Sequence, residues 1–183
     1  TGGTRVLAYP AAHYAVAELE KMGKLSSVIT QNVDNLHQKA GNSPHLIYEL
    51  HGNMQRIVCL QCHKRYPIDI AQKEVLSPEY VLSCESCHGI LKPDVVFFGE
   101  MLPQTVLARA TKEASTCDFL LVIGSTLFVY PAAYLPLYAK RAGAKIAIIN
   151  LGETQQDDIA DVRIEAPAGE AMSRIIEKVK EKI

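Results

Sequence analysis

Four cysteines stand in two C-x-x-C pairs, Cys59/Cys62 and Cys84/Cys87, with 21 residues between the pairs. Each pair makes a tight turn that aims two sulfurs at one point. Two such turns complete a tetrahedron suited to zinc. A closed shell of four thiolates leaves no open coordination position, so the zinc implied is structural. The segment from Cys59 to Cys87 has turn residues and few long apolar runs, too little to build a core alone. Metal binding supplies the folding energy that such an insert lacks. Because His63 follows Cys62 and His88 follows Cys87, both pairs also satisfy C-x-x-C-H, the attachment signature of c-type haem. Haem c needs an exported chain and further axial ligands, and would leave the apolar strands described below unexplained, so zinc is the preferred reading. The fifth cysteine, Cys117, precedes an apolar run and reads as a small buried residue rather than a nucleophile.

A second constellation precedes the cysteines. The apolar pair Val28-Ile29 ends in Gln31, Asn32 and Asp34, and the run Leu46, Ile47, Leu50 ends on His51-Gly52. A strand that ends in polar residues beside a helix start is where open α/β sheets place ligands. A histidine on the next short element can supply acid/base chemistry near neutral pH, and a free imidazole titrates near ~6.5. Two later apolar runs also end in small or amide residues, at Gly124-Ser125-Thr126 and Asn150-Leu151-Gly152. Glycine lets backbone approach a ligand, and hydroxyls with backbone N–H groups suit phosphates and ribose. Each stretch alone reads equally as turn chemistry, but three in register point to a nucleotide.

The elements that must position these residues alternate between strand and helix. A helix from Pro10 to Gly23 carries Ala12, Ala15, Val16 and Leu19 on one face; His13 on it reads as packed or solvated. Ser26–Thr30 reads as a strand, followed by a helix to Gly41 capped by Asn32 or Asp34. Val95-Val96-Phe97-Phe98 is a short apolar run, and Gln104–Ser115 is helical. Phe119–Ile123 reads as a strand buried on both faces, Pro131–Ala142 as a helix kinked at Pro136, and Lys145–Ile149 as another buried strand. The last helix has a core face of Met172, Ile175, Ile176, Val179 and Ile183, whereas Thr1–Tyr9 is irregular. The fold class is therefore α/β, a mostly parallel sheet with helices on both faces. Strand ends of such a sheet share one edge, so the three polar stretches are expected to converge on one cleft.

The chain has 183 residues, 48% hydrophobic and 21% charged, with net charge −1. These are ordinary values for a soluble globular protein, and no basic field points to nucleic acid or an anionic membrane. No apolar run approaches the ~18 residues of a spanning helix, and no signal peptide pattern is present. A cytoplasmic monomer is expected.

At the level of motifs the sequence resembles the sirtuins, NAD-dependent protein deacylases, of bacterial or archaeal type. The matching stretches are Thr30–His37 (TQNVDNLH), Glu49–Asn53 (ELHGN), the two cysteine pairs, Pro93–Glu100 (PDVVFFGE), Gly124–Leu127 and Asn150–Glu153, in family order. The resemblance implies a Rossmann-like domain at 1–55 and 93–183 with a small zinc-ribbon domain inserted at 56–92, and a substrate peptide bound between them. It implies His51 as catalytic base, with Asn32 and Asp34 also catalytic. Gln31, Asn32, Val33 and Asp34 match the nicotinamide–ribose pocket. Gly124, Ser125, Thr126, Asn150, Leu151 and Gly152 match the adenosine half, with Ala168 as the last adenine contact. Val95 and Phe97 match residues around the acyl-lysine. The implied reaction consumes NAD: the acyl-lysine amide oxygen attacks the ribose carbon, nicotinamide leaves, and the products are free lysine and O-acyl-ADP-ribose. The implied cofactors are NAD and one structural Zn2+, and the implied partner is an acetyl-lysine protein or peptide.

Two departures accompany the resemblance. The family commonly carries Gly-Thr-Ser where Gly124-Ser125-Thr126 stands, which keeps a glycine and two hydroxyls. The family's opening Gly-Ala-Gly-x-Ser stretch and Asp-Phe-Arg segment have no match here. They supply the pyrophosphate turn and a cofactor loop, so a chain starting at Thr1 is expected to bind NAD weakly. The alternative reading is a sirtuin-like module that holds zinc and peptide without efficient catalysis.

Overall fold

The computed structural model describes residues 9–70 and 82–182. The irregular start and Ile183 on the last helix lie outside the described residues, apart from Tyr9. The described chain divides into two compact units: one holds residues up to Ile29, Leu36–Tyr48 and Thr105 onward, the other Thr30–Asn35 and Glu49–Gln104.

In the first unit, three parallel strands run in the order β6 (Phe119–Ile123), β7 (Lys145–Ile149), β8 (Val162–Ile164). β7 lies between the other two, and its side chains enter two core clusters, Ile149 one and Ile146 and Ile148 the other. Ile146, Ile148 and Ile149 are fully buried, as the sequence suggested. β6 differs from expectation. It is paired only on its β7 side among the described residues, and Phe119 is 52% exposed, with Val122 its one buried residue. A continuous apolar run is consistent with burial on both faces, but neighbours decide it.

Helices cover this sheet. α1 (Tyr9–Lys21) places Ala15 and Val16 in a cluster with Val28 of β1 (Val28–Thr30), Ile47 of β2 (Ile47–Glu49), Ile149, and Met172 and Ile176 of α5 (Ala168–Lys180). Met172 and Ile176 recur at helical spacing, so one stripe of α5 enters the core while Arg174 and Lys178 stay outside. A second cluster joins Val122, Ile146 and Ile148 to Ala133, Ala139 and Ala144. These small side chains let α4 (Leu135–Arg141) approach the strands closely.

Pro136 does not kink a continuous helix as predicted. A 3-10 turn at Ala132–Tyr134 gives way to α4, and Pro136 sits in the first turn of α4. No intrahelical N–H is needed there, so proline costs nothing. α2 (Leu36–Ala40) begins directly after Asn35, which places that residue, rather than Asn32 or Asp34, at its N-terminal boundary. Gly41 ends it at φ +106, and the next residue, Asn42, donates its side-chain amide to Glu20.

The second unit is built on an antiparallel sheet in the order β4 (Arg65–Pro67), β3 (Gly52–Cys59), β5 (Leu91–Val95). Ile57, Cys59, Tyr66, Cys84 and Leu91 form its core, small enough to need a further staple. This unit is wider than the predicted 56–92 insert because β3 starts at Gly52 and the 30–35 segment packs onto it. α3 (Gln104–Thr116) returns the chain to the first unit; Cys117, just beyond, is half-buried rather than buried. Its thiol donates to the Ala114 carbonyl at 3.3 Å, and burial pushes its pKa up.

Candidate functional site

The two cysteine pairs form two turns of the same geometry. In the first, His63 N–H donates to Cys59 O (3.0 Å) and Cys59 N–H to Lys64 O (3.0 Å). In the second, His88 N–H donates to Cys84 O (2.8 Å) and Cys84 N–H to Gly89 O (2.8 Å). His63 and His88 both adopt positive φ, 58° and 59°, at equivalent places in the two turns. The four sulfurs lie within 4.8 Å of one another, with Cys59–Cys87 at 3.5 Å and Cys62–Cys84 at 3.6 Å. A tetrahedron with 2.3 Å zinc–sulfur arms has an edge of about 3.8 Å, so the set fits one zinc ion. Separations of this size are also far longer than the ~2.05 Å of a disulfide.

The surroundings favour thiolates. Tyr66 Oη lies 3.1 Å from Cys84 Sγ, and its hydrogen bond, aided by backbone N–H groups of Ser86 and Cys87, holds that thiol down to about 6. The N–H groups of Cys62 and Gln61 point at Cys59 Sγ, both at 3.4 Å, and lower that thiol against its burial. At Cys87 the Gly89 N–H pulls down, but burial and the three neighbouring sulfurs prevail and push it to about 12. A cluster that shares its charge so unevenly is one that a dication would even out. Gly89 has no room for a side chain: a Cβ there would lie 2.8 Å from Gln61 Cβ and 3.0 Å from Cys59 Sγ.

His51 occupies the turn between β2 and β3, in the same unit. Its Nδ1 lies 3.2 Å from the Gln31 carbonyl. A carbonyl can only accept, so Nδ1 carries the proton and Nε2 of the neutral ring keeps its lone pair. The Gln31–Asn35 loop is joined to this turn by more than the imidazole. Leu50 N–H donates to Thr30 O (2.9 Å) and Met54 N–H to Val33 O (2.9 Å). The TQNVDN and HGN motifs, separate in sequence, are thus one structure. Gln31 and Val33 are half-buried in it, whereas Asn32 and Asp34 are exposed.

The third strand of this unit meets the same turn. Gly52 pairs with Val95, and Val96 N–H donates to the His51 carbonyl at 3.0 Å. Beyond it, Lys92 organises the loop: its ammonium donates to Val95 O (2.9 Å) and to Glu100 (2.6 Å) and lies 4.6 Å from the Phe97 ring centre. Lys92, then the Phe97 N–H, hold Glu100 below its ordinary carboxylate value. Val95 O and Phe97 are therefore already engaged, while the Phe98 ring is fully exposed. In the same unit, Arg56 bridges Glu49 (2.7 Å) and Asp94 (3.0 Å), and Arg65 also reaches Asp94 (2.8 Å). Burial works against the Arg56 charge, but the two carboxylates outweigh it and raise its pKa. Nothing in the spacing of Lys92 or Arg56 marked them, because ion pairs between segments distant in sequence leave no sequence period.

In the first unit, Gly124-Ser125-Thr126 and Asn150-Leu151-Gly152 follow adjacent parallel strands whose last residues, Ile123 and Ile149, are in register. The two stretches accordingly share one edge of that sheet. Gly124 N–H donates to Ile149 O (2.8 Å), Ser125 Oγ accepts from Leu127 N–H (3.3 Å), and Gln155 N–H donates to Thr126 O (3.1 Å). Asn150 is buried, its amide donating to the Leu151 (3.1 Å) and Gly152 (3.2 Å) carbonyls. Arg163 grips the same loop through the Asn150 (3.0 Å) and Gly152 carbonyls and is held in turn by Asp157 (3.1 Å). Ala168 is half-buried as the first residue of α5. The hydroxyls, turned glycine backbone and amide at this edge suit a ribose and phosphates, so the residues fit a nucleotide.

No helix among the described residues is long and apolar enough to cross a membrane. Comparison with known proteins matches residues 4–131 to the Sir2 family. NAD-dependent protein deacylase 2 of Archaeoglobus fulgidus is 48% identical over 170 residues, covering 92% of this chain and 66% of the relative. A protein of the same name from Pyrobaculum aerophilum is 48% identical over 171 residues, 93% of this chain and 66% of its own length. The chain thus spans just under two thirds of the length of these relatives. A solved structure of Sir2 bound to acetylated peptide superimposes with TM-score 0.86 at 41% identity, covering 93% of this chain and 70% of that one. Another, of Sir2 with a p53 peptide and NAD+, gives TM-score 0.85 at 42% identity over 93% of this chain and 70% of that one. The paired thiolate turns, the histidine locked to its polar loop and these likenesses agree, and the chain belongs to the Sir2 family.

Proposed function

We propose that this protein takes part in NAD-dependent removal of acetyl or other acyl groups from protein lysines, with His51 as the base. The observation that carries the reading is the Nδ1–H bond from His51 to the Gln31 carbonyl, which leaves Nε2 as the acceptor. NAD supplies the activated ribose carbon and the hydroxyl that takes over the acyl group. Nε2 of His51 would accept the proton of that hydroxyl, and Asn32 and Asp34, exposed beside it, would orient the ribose. Gln31 and Val33 complete this side of the cofactor site. Gly124, Ser125, Thr126, Asn150, Leu151, Gly152 and Ala168 would hold the adenosine half. Val95 and Phe97 would form the wall beside the acyl-lysine, with Val96 and Phe98 presenting the surface that Lys92 leaves open. Cys59, Cys62, Cys84 and Cys87 would hold one structural zinc, with no part in bond making. A cytoplasmic location accords with the reduced thiols that such a zinc site requires.

The test is mass spectrometry of an acetyl-lysine peptide incubated with the protein, with and without NAD, beside His51→Ala. NAD-dependent loss of the acetyl group, reduced at least ~100-fold in the variant, is the expected outcome. Equal turnover by the two proteins would remove His51 from the chemistry.

A further inference from the structure

Asn53 is only 1% exposed, the most deeply buried polar side chain among the described residues. A buried amide has to satisfy its donors and acceptor inside the protein. Asn53 does so in three directions. Its Nδ2 donates to Asn35 Oδ1 (2.9 Å) and to Glu49 Oε1 (2.5 Å), and its Oδ1 accepts from Gln55 N–H (2.8 Å). The bond to Asn35 reaches the far end of the loop whose near end supplies the Gln31 carbonyl. Asn35 stands at φ 64, a conformation that a non-glycine residue adopts only with support, although asparagine tolerates it better than most.

Backbone N–H groups of Leu50 and Met54 and the His51 ring also bond to this loop, and within it Asn32 N–H donates to Thr30 Oγ1 (3.1 Å). Asn53 is a side chain that ties the loop from the β3 side without being part of the chemistry. The consequence falls on a proton. A free neutral imidazole in water prefers to carry its proton on Nε2, and in that form Nε2 cannot act as a base. The Gln31 carbonyl reverses the preference, but only while it stays about 3 Å from Nδ1.

We propose that Asn53 is a positioning residue for His51: by clamping Asn35 it fixes the loop that carries the Gln31 carbonyl, and so keeps the imidazole in its Nδ1–H form. The role rests on His51 being the base, but the location of a proton can be measured without turnover.

The experiment is long-range 1H–15N correlation NMR on the zinc-loaded 183-residue chain labelled with [15N]histidine, at a pH above the imidazole range. His51 is assigned by the signal that His51→Gln removes. The wild type is expected to show a pyrrole-type Nδ1 and a pyridine-type Nε2. Asn53→Ala and Asn35→Gly should each move His51 to a mixture dominated by Nε2–H, whereas Asn35→Asp keeps an acceptor for Asn53 and should retain the wild-type pattern. Asn35→Gly is compatible with φ 64 and decides the matter should the Asn53 variant not fold. The signals of His63 and His88, beside the cysteine turns, report whether that unit is intact. An unchanged tautomer in both loss variants, or an Nε2–H wild type, would overturn the proposal. A chain that shows the expected pattern yet never deacylates a peptide in the presence of NAD would count against the functional reading and leave only the control of the His51 tautomer by Asn53 standing.

Discussion

A Cβ on Gly52 would lie 2.0 Å from the carbonyl oxygen of Asp94. Gly52 also holds φ +82, so both its space and its backbone angle belong to glycine. The residue follows His51 directly and pairs with Val95, so the join of β3 to β5 is also the seat of the histidine. Gly52→Ala must push the two strands apart. It is expected to lower stability by at least ~2 kcal/mol, judged by overpacking and left-handed strain together, and to abolish the proposed deacylation. Wild-type urea unfolding of this variant would contradict the close approach.

Tyr66 holds Cys84 below the ordinary thiol value of 9.0, to about 6. A group whose folded pKa is depressed contributes stability above its unfolded value, and that contribution is lost as pH falls through the folded one. Cys84 should therefore stay a thiolate, and help retain zinc, until pH falls through about 6, and Tyr66→Phe should move the loss to higher pH. Zinc release followed with a chromogenic chelator across this range would check it. Identical release profiles for the two proteins would mean that the hydroxyl does not act on the thiolate.

Removing zinc altogether should act unevenly. The unit containing β3, β4 and β5 has a core of five residues, two of them cysteines, and should lose its ordered structure. The unit built on β6, β7 and β8 buries Ile146, Ile148, Ile149 and Met172 without the metal and should keep its own. Amide exchange measured before and after chelation would show protection lost at Ile57 and Tyr66 but kept at Ile148. Uniform loss throughout the chain would show instead that the two units fold as one.

Arg163 holds the Asn150 and Gly152 carbonyls from behind their loop. Arg163→Gln should leave the sheet intact, because β8 keeps its backbone pairing, and loosen the loop. Amides of Leu151 and Gly152 are expected to exchange roughly tenfold faster, equivalent to about 1.4 kcal/mol of local stability. Unchanged exchange would mean that the Asn150 amide alone suffices.

Asp161 is held far below the ordinary carboxylate range, first by the Ile146 N–H (2.9 Å) and then by Lys140 and Lys145 (2.9 and 3.0 Å). Its depressed pKa means that its stabilisation is complete at neutral pH and declines as pH falls below the usual ~4 toward the folded value. Asp161→Asn should accordingly be less stable than wild type at neutral pH, with the gap in urea midpoint closing in strong acid. A gap independent of pH would point to shape rather than charge.

The cysteine spacing, with the insert's small core and the apolar strands around it, pointed to a four-sulfur site, because two residues between paired thiols favour a tight turn. Apolar runs and helical spacing located β1, β6, β7, α1, α3 and α5, since burying a face or a stripe must be written in the side chains. Short motifs marked His51, Gln31-Asn32 and Gly124-Ser125-Thr126, because such chemistry needs specific residue types next to one another.

Other features came from tertiary neighbours. Phe119–Ile123 is half-exposed because of what pairs with it, and Pro136 starts a helix because of the 3-10 turn before it. The proton on His51 Nδ1 depends on a carbonyl 20 residues away in sequence. Lys92, Arg56 and Arg163 support the motifs from positions that no local pattern singles out, and the part Asn53 plays within its motif shows only in its bonds. A side chain's bonding partner is fixed by distance in space, and the chain order does not record that distance until the strands are paired.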